Sequence, residues 1–314
     1  MNRSTLRLGT RKSPMAVAQS ETVAGLIRER AGVEAELVGL TSFGDVSKAH
    51  LTDIGGSGVF VSALRTCLLA GDIDLAVHSL KDLPSAAVPG IALAAVPVRG
   101  DPRDALVARD GAKLADLPTG ALIGTGSPRR AAQLRLMRAD IRPVPVRGNA
   151  GTRLAKVSSG ELDAVVLARV GLERIGRLDM ITEVFEPDEM VPAPGQGALA
   201  VECRDTDPGL VDLLATVDDP GSRAAATAER AVLAELQAGC HAPVGAYAVA
   251  TDVLRLTAVV IPDDGAQPVS ASGVASAGEA ARMGREVARE LLRRGAGRYV
   301  TGPAAHTSNG DDNQ

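Results

Sequence analysis

Arginines stand in this chain where simple electrostatics would place acids. Arg11 precedes Ser13-Pro14, Arg129 and Arg130 follow Ser127-Pro128, and Arg147 and Arg153 bracket Gly148-Asn149-Ala150-Gly151-Thr152. Each stretch reads as a strand-to-helix turn, the first two with a capping serine before a proline at the first helical position. A helix N-terminus exposes unpaired N–H groups and the positive end of the dipole, so carboxylates stabilise it and cations do not. Repeated cations there predict carboxylates or phosphates bound in a cleft. The competing reading is solvated surface charge, and the 29 arginines against five lysines also fit a composition biased towards Ala, Gly and Arg.

A second cluster is Val77-His78-Ser79-Leu80-Lys81-Asp82-Leu83-Pro84. A strand end that delivers Ser79, Lys81 and Asp82 within four residues places a carboxylate beside a cation at the carboxyl edge of a sheet, where α/β proteins bind ligands. Asp82 is thereby a candidate acid/base or cation-stabilising group; the alternative is a turn with an ion pair before Pro84. Of the three cysteines, Cys67 lies in a helical stretch and reads as a buried small hydrophobe, and Cys203 closes a strand. Cys240 differs, because Gly239-Cys240-His241-Ala242-Pro243 is a loop of turn-formers after a helix, where a thiol can serve as a covalent attachment point. Four histidines without an i, i+4 pair argue against a metal site. Gly55-Gly56-Ser57-Gly58 lacks the Gly-Lys-Ser/Thr ending of a phosphate loop and reads as a flexible loop or lid.

These residues need a scaffold. At 314 residues, with 45% hydrophobic residues, the chain can build more than one core. Short apolar runs at Leu6–Gly9, Ala35–Thr41, Leu75–His78 and Ile91–Val96 alternate with helical segments near Pro14–Arg30 and Val59–Ala70. The same texture repeats with strands at Ala105–Ala108, Leu122–Gly124, Ile141–Val146 and Ala164–Leu167, and helices at Pro128–Arg138, Ala150–Ser159 and Val170–Ile175. A strand at Ala198–Glu202 follows. The third unit has a helix near Gly221–Gln237, strands near Gly245–Ala250, Val253–Val260 and Pro268–Ser272, and a helix near Glu279–Arg294, an α+β pattern with an antiparallel sheet. Asp207-Pro208 and Asp219-Pro220 repeat the cap-plus-proline device without chemistry of their own. With a net charge of −4 and 2% aromatics there is neither a basic field nor a stacking platform for nucleic acid. No apolar leader and no run of 18 apolar residues appears, so a cytoplasmic protein without a membrane partner is expected.

Taken in order, six segments resemble the porphobilinogen deaminase (hydroxymethylbilane synthase) family: Thr10–Pro14, His78–Pro84, Gly124–Arg130, Arg147–Arg153, Pro194–Ala198 and Gly239–Gly245. The resemblance implies two periplasmic-binding-protein-like α/β domains around a cleft, at 1–97 with 198–216 and at 98–197. A small α+β domain at 217–302 would carry the cofactor cysteine, and the tail at 303–314 is expected to be disordered. It implies a monomeric transferase that joins four porphobilinogen molecules head to tail, with release of ammonia, into the linear hydroxymethylbilane of haem and porphyrin biosynthesis. Cys240 would hold a dipyrromethane cofactor by a thioether. Asp82 would protonate the leaving amino group, stabilise the resulting azafulvene cation and help remove the proton after coupling. Ser79, Lys81, Thr125, Ser127, Arg129, Arg130 and Arg153 would grip the cofactor carboxylates; Arg11, Ser13, Arg147, Arg153 and Gln196 would grip the substrate. The chain departs from many relatives at Asp53 and Ser57, which stand where lysines are usual, and at Pro128, which replaces a leucine. The rival readings are a non-catalytic two-domain anion-binding protein, which needs no thiol at Cys240, and a cytosolic enzyme using Cys240 as a redox or acyl-transfer nucleophile, for which a Cys-x-x-Cys motif or base partner is missing.

Overall fold

A computed structural model describes residues 5–40, 58–239, 242–262 and 265–300. In chain order the elements are β1 (Thr5–Arg11), α1 (Pro14–Ala31), β2 (Glu34–Leu40), α2 (Gly58–Ala70), β3 (Leu75–Ser79), β4 (Ile91–Ala95), β5 (Asp104–Ala108), β6 (Leu122–Gly124), α3 (Pro128–Met137), β7 (Arg142–Val144), α4 (Ala150–Ser158), β8 (Ala164–Ala168), α5 (Arg169–Arg174) and β9 (Glu183–Val184). They continue with β10 (Leu199–Arg204), α6 (Pro208–Ala215), α7 (Pro220–Glu235), β11 (Val244–Ala250), β12 (Leu254–Val260), β13 (Val269–Ala275), α8 (Ala280–Arg293) and α9 (Gly297–Val300). Asp53, Ser57, Cys240, His241 and the tail 303–314 lie outside the described residues.

The strands form three sheets, ordered β2-β1-β3-β10-β4, β7-β6-β8-β5-β9 and β11-β12-β13. The first two share one plan: three parallel strands, then an antiparallel strand, then a short edge strand. In both, the antiparallel strand is the first to follow a crossing between the sheets, since the chain enters the second sheet through β5 and rejoins the first through β10. The uninterrupted apolar runs of β3, β5 and β8 are buried, as expected of strands covered on both faces. β12 instead alternates, with Leu254, Leu256, Ala258 and Val260 buried and Arg255 and Thr257 exposed; its apolar face packs on α7 and α8. Each fully buried Leu, Ile or Val in these cores contributes about 1.5–3 kcal/mol from burial. α8 approaches α7 closely because Gly284 has no side chain, for a Cβ there would sit 2.3 Å from the Ala228 carbonyl oxygen.

The two crossings run side by side, with the Gly100 amide donating to the Gly197 carbonyl at 3.3 Å. Gly197 has φ 90°, and a Cβ there would lie 2.4 Å from the Gly100 oxygen, so this approach excludes any other residue. The third unit grips the same crossings through the fully buried Glu229 of α7. Its carboxylate accepts from Arg99 Nη1 (2.6 Å) and Nη2 (3.1 Å), the Gly195 amide (2.6 Å) and the Ala248 amide (2.7 Å). A buried carboxylate is tolerated because every lone-pair direction meets a donor.

Candidate functional site

The chain leaves β3 through a single 3₁₀ turn, Leu80–Asp82. Leu80 and Leu83 are buried against Val61, Val96, Ala198 and Ala226, and the Leu80 amide donates to the Ala198 carbonyl at 3.0 Å. Apolar side chains thus pin both ends of the turn, while Lys81 and the exposed Asp82 between them reach the cleft.

Two cavities open there. The first, about 580 Å³, lies where all three units meet: it is bounded by the turn at 81–86, the start of α3, the crossing at Ala193–Gln196 and the end of α7 with Gly239 and Ala242. The second, about 860 Å³, extends from the same turn between α1 and α5, with Arg11, Ser13, Ser79 and Arg177 on its wall and apolar backing from Val61, Leu64, Leu167, Leu172 and Ile175. Lys81, Asp82, Arg130 and Arg153 line both. Among the described residues, Asp82 is the one carboxylate lining either cavity. Asp82 therefore stands at the junction of two cation-lined chambers.

Behind the wall lies a buried network absent from the sequence reading. Asp104, fully buried at the start of β5, accepts from Arg129 Nη2 at 2.7 Å and from Arg130 Nε and Nη2 at 3.0 and 2.7 Å. Gln196, also fully buried, donates to Asp104 Oδ1 (2.8 Å) and the Pro102 carbonyl (2.6 Å), while its Oε1 accepts from Lys81 Nζ (3.2 Å) and Arg130 Nη2 (3.3 Å). One amide thus ties a crossing segment to cations from both cleft walls. Burial opposes charge on Asp104, but the two guanidiniums and these hydrogen bonds outweigh it and hold its carboxyl far below the usual range. Desolvation, reinforced by Arg130, brings the Lys81 ammonium down to about 8, and the same two causes lower Arg153. Asp104→Asn leaves two buried guanidiniums against a neutral amide and is expected to destabilise the fold by about 3–5 kcal/mol. A urea unfolding midpoint within error of wild type would show that the pair is not balanced by this acid.

The structure brings most of the proposed residues to the cavities. Ser13 and Ser127 each line one while accepting the Ala16 and Arg130 amides as helix caps. Ser79 Oγ accepts from Gln19 Nε2 at 2.8 Å. Thr125 is buried behind the wall, its Oγ1 accepting from the Ser127 amide at 3.2 Å, and Arg147 is exposed away from both linings. Cys203 is buried in β10, and Cys67 is half-buried rather than fully enclosed. Cys240 is outside the described residues, but Gly239 and Ala242 on either side of it line the first cavity. Asp104, Glu229 and Gln19 belong to no motif in the sequence. For Asp104 the available signal was an acid opening an otherwise apolar strand.

The chain matches the family model "Porphobilinogen deaminase, dipyromethane cofactor binding domain" over residues 6–212 and "Porphobilinogen deaminase, C-terminal domain" over residues 224–293. It is 58% identical over 315 aligned residues to a porphobilinogen deaminase of Thermobifida fusca, covering 97% of this chain and 98% of that one. It is 51% identical to the porphobilinogen deaminase of Acidothermus cellulolyticus, covering 96% and 92%. Among solved structures it is similar to the methionine-binding protein MetQ at 11% identity and a TM-score of 0.44, over 68% of this chain and 89% of that one. With both family models matched in order and relatives aligned nearly end to end, the chain belongs to the porphobilinogen deaminase family.

Proposed function

We propose that this protein joins porphobilinogen molecules head to tail, releasing ammonia, on a dipyrromethane primer carried by the Cys240 sulfur, and delivers hydroxymethylbilane. The observation that carries the reading is the placement of Asp82 at the junction of two cation-lined cavities, one of them bounded by the residues that flank Cys240.

The cavities fit such a group. A dipyrromethane bears several carboxylates, and the first cavity offers Lys81, Arg129, Arg130 and Arg153 against Asp82 as the one acid among the described residues. Arg129 Nε is buried there without a hydrogen-bond partner, a donor left over at the wall of an anion site. When bound, the dipyrromethane supplies the pyrrole end to which incoming substrate is joined. The chain's own residues do the rest. Lys81, Ser127, Arg129, Arg130 and Arg153 hold the primer, with Thr125 behind them and Ser79 on the adjoining wall of the second cavity; Arg11, Ser13 and Arg153 receive and orient the acetate and propionate arms of substrate. Gln196, whose amide is fully used within the protein, sets Lys81 and Arg130, and Arg147, which lines neither cavity, has no part in this arrangement. The Asp82 carboxyl holds the proton that the departing amine requires, and as carboxylate it faces the positive charge left on the substrate ring.

We read residues 1–97 with 198–216, 98–197 and 217–302 as three domains, since each span contributes its own sheet. A monomer working in the cytoplasm suits a small soluble substrate. Among the described residues no helix is long and apolar enough to cross a membrane, and no cluster of His, Cys, Asp or Glu is arranged to hold a metal ion.

Turnover of porphobilinogen tests the reading, with ammonia and linear tetrapyrrole as products, and the pH dependence of primer attachment tests the role of Lys81. In the primer-free chain the Lys81 cation is present below about pH 8 and lost above it, so the rate of primer attachment is expected to fall as pH rises through that value. Bound primer carboxylates draw the pKa back towards 10.5, so attachment takes up a proton in this window. Lys81→Met should slow attachment, followed by intact mass, and remove its alkaline limb. A limb that persists in Lys81→Met belongs to another group.

A further inference from the structure

The geometry points to Arg230 as a positioning residue: from α7, whose end leads into the Cys240 loop, it clamps the backbone immediately after Asp82 and so sets the acid against the thiol-bearing loop. This rests on the proposed activity.

Arg230 Nη1 donates to the Leu83 carbonyl at 2.8 Å and Nη2 to the Pro84 carbonyl at 2.7 Å. A guanidinium is suited to this, because its planar fork offers two parallel donors that no other side chain presents together. Its donors go to main-chain oxygens of the catalytic turn, although the carboxylate of Glu202 is near enough to act on its charge. Burial lowers the Arg230 pKa, and the guanidinium still remains a cation at any working pH.

The turn needs such a clamp. Leu80 and Leu83 are anchored in apolar packing, yet residues 84–87 are exposed and a cavity of about 200 Å³, lined by Ser85, Thr227 and Arg230, lies beneath them. Packing therefore holds the turn up to Leu83, and beyond it the fork of Arg230 takes over. On the other side, α7 is fixed by Glu229, the neighbouring residue, to both crossings and to β11. One helix thus carries three positions in series: the crossings at Glu229, the Asp82 turn at Arg230 and, one turn on, the wall of the first cavity at Leu233 and Ala234, which Gln237 and Gly239 continue just past its end. Asp82 and Cys240 belong to different units of the fold, and Arg230, acting beyond the apolar contact of Leu80 and Leu83 with Ala226 of the same helix, makes their separation a property of that helix.

The test compares Arg230→Met and Arg230→Lys with wild type, each with cofactor loading measured by intact mass. In Arg230→Met, kcat per loaded enzyme is expected to fall by about 10- to 100-fold with KM little changed, as displacement of an acid by a fraction of an ångström would produce. Arg230→Lys, able to reach one carbonyl but not to fork, should recover part of the loss. Normal kcat at full loading, a loss explained wholly by reduced loading, or complete rescue by lysine would each overturn the clamp. Hydrogen exchange reads the clamp without turnover: the amides of Asp82, Leu83, Ser85 and Ala86 should exchange faster in Arg230→Met, and unchanged protection there would refute it. An enzyme that fails to turn over porphobilinogen while these amides respond as expected would sink the proposed activity and leave the clamp standing. If Arg230→Met folds poorly, the lysine variant decides by the same two readouts.

Discussion

Asp82→Asn is expected to lower kcat by about 10²- to 10⁴-fold, the range that a positioned acid/base group supplies. The amide is nearly isosteric, but it neither carries a transferable proton nor compensates a cation. The side chain is exposed on a turn anchored by Leu80 and Leu83, so the loss should come without a fall in melting temperature and with the primer retained at least in part. The arginines and Lys81 that hold the carboxylate arms are untouched, so KM should move far less than kcat. Asp82→Glu restores the charge one methylene further out and should fall between the two. Steady-state turnover of loaded enzyme checks all three, and near-normal kcat in Asp82→Asn would remove the acid from the mechanism.

Cys240→Ser is expected to abolish turnover altogether, because a hydroxyl is far less ionised than a thiol at neutral pH and forms no thioether. The other cysteines are poor substitutes for the attachment point. Cys203 is buried in β10, where burial, with acidic neighbours, pushes its thiol up to about 11. Burial and then Asp72 likewise raise the Cys67 thiol. Both environments disfavour thiolate. Serine at position 240 differs from cysteine by one atom, so this variant should fold normally and should migrate at the bare mass of the chain. Residual activity in this variant would mean that the primer is held elsewhere or is not needed.

The parts of this architecture that the sequence made legible are those governed by local spacing. Strand and helix positions from Thr5 to Arg293 follow hydrophobic period and cap residues, and the serine-proline starts of α1 and α3 are where the capping rule puts them. The same rule marks Asp207-Pro208, yet the eight-residue α6 behind it is too short for its period to stand out, and the two-residue β9 is too short for any period at all. Long-range pairing was the harder matter. The cations at the start of α3 predicted an anion, and part of that anion is the protein's own Asp104, some 25 residues away and on another element. Glu229 reaches across 130 residues to Arg99, and Gln196 joins both cleft walls. Nothing in local spacing encodes such partners, because they are set by how three sheets meet. The cleft residues themselves were readable for the opposite reason: Ser79, Lys81 and Asp82 are delivered within four positions by one strand end.

The most direct measurement is the intact mass of the purified protein together with the mass of its Cys240-containing peptide. The expected mass exceeds that of the 32.1 kDa chain by one dipyrrole unit, located on that peptide and absent from Cys240→Ser. An active preparation at the bare chain mass, or an excess carried by any other peptide, would contradict it.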